Sequence, residues 1–146
     1  LKFIDTDRII ENKNLMKISE IFEKKGEKFF RIEEEKEVLS SLQENQCVIA
    51  LGGGAFINKK IRKCILNKAI SIWLDESIKT LIERIKWSKK RPLLNNTNSH
   101  IKIKKIYDER KNIYKLANYR IDCKNLSKEN IVKKILSYYE KHSTDH

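Results

Sequence analysis

Two short apolar runs, QCVIAL at 46–51 and AISIWL at 69–74, are each closed off by polar residues or glycine, with a stretch of helical periodicity between them. The first, a continuous apolar run, has the pattern of a strand buried on both faces, the environment of a parallel sheet covered by helices, and the second reads as a further strand. Parallel neighbours cannot be joined by a tight turn. They need a crossover, usually a helix, so the alternation points to βαβ units.

The rest of the chain continues the rhythm. LKFID at 1–5 reads as a strand, and Ile18, Ile21 and Phe22 recur at helical spacing until Gly26 interrupts them. A long helix is predicted over about 27–44, then helices near 59–67, 76–87, 100–117 and 127–139, with a further strand at YRIDC. The only proline lies in the polar loop SKKRPLLNNTNS. The expected fold class is therefore α/β, a parallel sheet flanked by helices. With 146 residues it forms one domain, 1–146.

The net charge of +12 favours anionic ligands, but the 25 lysines accompany 22 isoleucines and 12 asparagines, a bias that AT-rich coding alone produces. The lysines are interspersed with acidic residues, and Phe29, Phe30, Trp73 and Tyr107 fall at core periodicity instead of between surface lysines. That argues against a nucleic-acid-binding domain, which needs exposed stacking platforms. Cys47, Cys64 and Cys123 are odd in number, widely spaced and without suitable histidine partners, so they read as reduced thiols. With no membrane-length apolar run, the expectation is a cytoplasmic protein without membrane contact.

Ligands of open parallel sheets bind beyond the carboxyl ends of the strands. Asp5 and Asp7 follow the first strand there, and Gly52, Gly53 and Gly54 follow QCVIAL. Asp7 equally suits the N-cap of a helix beginning RIIE. The glycines equally suit a tight strand-to-helix turn. They are not a Walker A loop, because Phe56, Ile57 and Asn58 stand where Gly-Lys-Ser/Thr would be required.

Two arginines lie on unexpected helix faces. At 100° per residue Arg31 falls within about 20° of Val38 and Leu42, and Arg110 shares a stripe with Ile103, Tyr107, Tyr114 and Ala117. A cation facing a core requires an anion to meet it. Either Arg31 pairs only with Glu34 or Glu35 and Arg110 snorkels, or the two arginines capture a carboxylate or phosphate on a ligand. Lys89, Lys90 and Arg91 form a basic loop, either a solvated one or a mobile cover for phosphates.

Taken in order, FIDTD, ISEIFEKKGEKFFRIEEE, VIALGGGA, RPLL and DERKNIYKLA closely resemble shikimate kinase over nearly the whole chain. The resemblance implies a P-loop kinase three-layer sandwich of the nucleoside-monophosphate-kinase-like group. It implies transfer of the γ-phosphate of ATP to the 3-hydroxyl of shikimate, in the chorismate pathway to aromatic amino acids. Asp7 then matches the group that binds the ring hydroxyls and helps deprotonate the attacking one, and Asp5 the carboxylate near Mg²⁺. Arg31 and Arg110 match the carboxylate clamp, with Glu34 in support, and Gly52, Gly53 and Gly54 a wall of the shikimate pocket. Arg91 matches a lid arginine in a loop over about 88–99, and Arg84 a group near the nucleotide. No residue of CKNLSK is assigned to adenine.

The resemblance also implies an absence. The family's first strand, its Gly-x-x-Gly-x-Gly-Lys-Ser/Thr loop and its first helix precede the strand that here begins at Leu1, and no such loop occurs in the 146 residues. The expectation is a monomeric kinase domain lacking its central first strand, whose absence cuts a sheet of order 2-3-1-4-5 between VIAL and AISIWL. The alternatives are a P-loop-less relative that binds a small hydroxy acid without catalysis, and another small-molecule kinase such as a gluconate kinase.

Overall fold

The computed structural model describes residues 1–86 and 99–144. β1 (Lys2–Asp5) pairs in parallel with β2 (Cys47–Ala50), Lys2 opposite Cys47 and Asp5 opposite Ala50. β3 (Ile72–Asp75) pairs in parallel with β4 (Tyr119–Asp122), Ile72 opposite Tyr119 and Asp75 opposite Asp122. The two pairs form separate sheets. VIAL and AISIWL thus fall in different sheets, as the expected break between them requires.

Helices cover the connections. α1 (Thr6–Asn14) and α2 (Ile18–Ser41) link β1 to β2; a 3-10 turn (Ala55–Ile57) and α3 (Lys59–Lys68) link β2 to β3. α4 (Ile78–Lys86) and α5 (Ser99–Tyr114) lie between β3 and β4, and α6 (Lys128–Thr144) follows. Gly26 takes φ 84° and ψ 164°, a left-handed backbone that breaks α2 into two runs, as the apolar spacing predicts. The second run brings Val38 and Leu42 against Ala55, Phe56, Ile61 and Ile65. A second cluster, Ile10, Ile18, Ile21 and Phe30, joins α1 to α2, and a third, Ile82, Ile85 and Ile103, joins α4 to α5.

Two expectations are corrected. QCVIAL is not buried on both faces: Val48 is 43% exposed. Val48 stands opposite Phe3, 64% exposed, so it is one face of the β1–β2 pair that is open. Nor is Asp7 the helix cap. Asp5 caps α1, its Oδ1 accepting from the Arg8 N–H at 3.2 Å, and Asp7 sits in the first turn.

Candidate active site

Thr6 is fully buried, and its hydroxyl donates to the Ala50 carbonyl at 3.2 Å. This ties the first turn of α1 to the end of β2 and sets Asp7 beside the glycine turn. A Cβ placed on Gly52 would lie 2.8 Å from Asp7 Oδ1 and 3.2 Å from Glu34 Oε1; one on Gly54 would lie 2.7 Å from Arg31 Cζ. These two positions therefore need glycine because carboxylates and a guanidinium press against the backbone, whichever way the chain turns. The 3-10 turn that follows is braced by Arg62, whose Nη1 donates to the carbonyls of Phe56 and Ile57 at 3.0 Å each.

Arg31 Nη1 donates to Glu34 Oε2 at 2.8 Å, while Nη2 reaches only the exposed Glu27, at 3.4 Å. Glu35 is not its partner: it instead accepts from Lys60 and from Asn58, the residue that caps α3. Glu34 is 1% exposed, and its Oε1 has no hydrogen-bond partner. Burial pushes the Glu34 carboxyl above its ordinary value, against the hydrogen bond and charge of Arg31 and the charge of Arg110. Arg110 thus stands close enough to act electrostatically on the same buried carboxylate.

The structure brings together Asp7, Arg31, Glu34, Gly52 and Gly54 around one turn, and Arg110 acts on this group through its charge on Glu34. Gly53 belongs to it through its carbonyl, which accepts from the Tyr114 hydroxyl of α5. Arg84 lies apart on α4, exposed and 3.7 Å from Glu76. Arg91 and most of the predicted lid lie outside the described residues. Among the described residues no three acidic, thiol or imidazole groups gather as a cation cage.

Sequence reasoning missed a second cluster. Asp75, 4% exposed at the end of β3, accepts from Arg120 Nε at 2.8 Å and Nη2 at 2.5 Å, and from the Tyr107 hydroxyl at 3.0 Å. The one available signal was that Tyr107 and Tyr114 share the Arg110 stripe, where their rings read as core and their hydroxyls went unused.

The family model described as shikimate kinase matches residues 1–140. The chain belongs to the shikimate kinase family. It is 39% identical to a shikimate kinase of Sulfurihydrogenibium over 94% of this chain and 81% of that protein. It is 34% identical to one of Bartonella henselae over 99% of this chain and 71% of that protein. Among solved structures, shikimate kinase from Acinetobacter baumannii in complex with shikimate superposes with a TM-score of 0.91 at 29% identity, covering 97% of this chain and 79% of that one. The Aquifex aeolicus shikimate kinase gives 0.83 at 30% identity, over 98% and 83%. A parallel α/β kinase fold and membership among ATP-dependent phosphotransferases follow, and the gluconate kinase alternative falls away.

Proposed function

We propose that the protein transfers the γ-phosphate of ATP to the 3-hydroxyl of shikimate, with Arg31 and Arg110 holding the substrate carboxylate and Asp7 receiving the ring hydroxyls. The observation that carries this reading is the convergence of Arg31, Glu34 and Asp7 on Gly52 and Gly54. Arg31 spends one nitrogen on buried Glu34, while the other makes only a long, exposed contact with Glu27 that a ligand carboxylate could replace. Glu34 acts as the internal counter-ion that orients the guanidinium, and Arg110 supplies the second cation. Asp7, adjacent in the wall, accepts the proton that the attacking hydroxyl loses.

Asp5 suits only a peripheral part in metal binding, since one of its oxygens caps α1. That fits Mg²⁺ held mainly by phosphate oxygens and water, with Asp5 facing it through water. Arg84 and Arg91 are proposed to act on the ATP phosphates. A monomer in the cytoplasm is the proposed state. Three free cysteines fit a reducing compartment.

Calorimetric titration of the full-length enzyme with shikimate tests the clamp. Each of Arg31→Ala and Arg110→Ala removes a charge-assisted contact of about 1.5–3 kcal/mol, so affinity is expected to fall roughly ten- to a hundredfold. Wild-type affinity in both variants would reject it. Gly54→Ala is expected to weaken shikimate binding about as much as Arg31→Ala with little change in melting temperature. The added Cβ displaces only the far end of a long side chain, and a variant that binds normally would show that Arg31 is not needed where it lies.

A further inference from the structure

α5 is tied to both strand pairs, at the end of β3 and at the turn after β2. Tyr107 Oη donates to Asp75 at the end of β3, and Tyr114 Oη donates to the Gly53 carbonyl beyond β2. Seven residues apart, these tyrosines lie within about 20° of one another on the helix, two turns along one face. Arg110 stands between them on that face, three residues after one and four before the other.

We infer that the Tyr107 and Tyr114 hydroxyls are positioning groups: they seat α5 across the two sheets and so set Arg110 opposite Arg31 for the substrate carboxylate. The inference rests on the clamp reading above.

Each tie is anchored at both ends. Asp75 is fixed by Arg120, whose guanidinium lies 5.3 Å over the Trp73 ring. Burial and the Asp75 carboxylate push the Tyr107 phenol above its ordinary value, which keeps it a donor at any working pH. The Tyr114 ring packs 5.8 Å from Trp73 and 6.5 Å from Phe56, so its hydroxyl reaches Gly53 from a wedged position. The same carbonyl belongs to the turn whose neighbours touch Arg31, Asp7 and Glu34. One hydrogen bond thus joins the helix bearing Arg110 to the wall bearing the rest of the site. Without it the two cations keep their charges and lose their mutual spacing.

Tyr→Phe changes isolate the hydroxyls, because the rings and their packing remain. In the full-length enzyme, Tyr107→Phe and Tyr114→Phe are each expected to raise the KM for shikimate about two- to tenfold, the worth of one hydrogen bond. The KM for ATP should stay near wild type. In an Arg110→Ala background, Tyr114→Phe should weaken shikimate binding no further, since its effect passes through Arg110. Unchanged shikimate KM in both single variants, equal rises in both KM values, or an additive loss in the Arg110→Ala background would each overturn the inference. If Arg110→Ala itself binds shikimate normally, the clamp reading fails and the inference with it. If Arg110→Ala binds weakly while both Tyr→Phe variants behave as wild type, only the inference fails.

Discussion

Asp7→Asn should lower turnover by about 10²–10⁴-fold, the usual contribution of a positioned general base, with a much smaller effect on shikimate affinity. Asparagine keeps the shape and one hydrogen-bonding oxygen of aspartate and removes its basicity. Glu34 is the competing carboxylate, because its unpartnered Oε1 also faces the Gly52 position. The two are distinguishable by what they hold. Glu34 is committed to Arg31 at 2.8 Å, so Glu34→Gln should act on shikimate affinity through the clamp and leave most of the turnover. Steady-state kinetics with each substrate varied separates the cases. Full turnover in Asp7→Asn together with a dead Glu34→Gln would exchange their roles.

The parts of the fold that local pattern determines were readable. Alternating strands and helices identify a parallel α/β arrangement, and Gly26 breaks α2 where the apolar spacing stops. Sheet order was not readable from pattern, since periodicity says that a strand is covered without saying by what; it came from the family resemblance. The same gap explains Val48, which belongs to a run with the composition of a fully buried strand and stands 43% exposed. Within the site, Arg31 was legible because a cation on an apolar stripe violates the helical pattern. Asp7 reads as the cap where Asp5 is the cap, because both lie within a residue or two of the helix start and only backbone geometry decides between them. Asp75 and the tyrosine hydroxyls were invisible for the opposite reason. Tyrosine on a core stripe violates nothing, and the partners of Tyr107 and Tyr114 lie 32 and 61 residues away.

A polypeptide limited to residues 1–146 is expected to aggregate or to melt in a broad, non-cooperative transition, and ATP with Mg²⁺ should not stabilise it. Its β-structure consists of two separate two-stranded pairs, and a two-stranded unit is marginal alone. β2 and β3 each present an edge to the break between the pairs. Any N–H or C=O that is buried there without a partner costs about 1–3 kcal/mol, against a total domain stability of about 5–15 kcal/mol. Apolar cover is thin in the same region. α6 buries no residue, and Val132, Leu136 and Tyr139 on it are exposed, as are Val48 and Leu74 on the strands. The exposed apolar surface is therefore spread over a sheet face and a helix, and no single substitution should offset it. The 146 residues also contain no Gly-Lys-Ser/Thr loop to hold the β and γ phosphates. Differential scanning calorimetry with and without ATP and Mg²⁺ checks both points at once. A sharp two-state transition that moves upward with nucleotide would show that the described elements close into a cooperative unit by themselves. It would also show that ATP is held without a Gly-Lys-Ser/Thr loop.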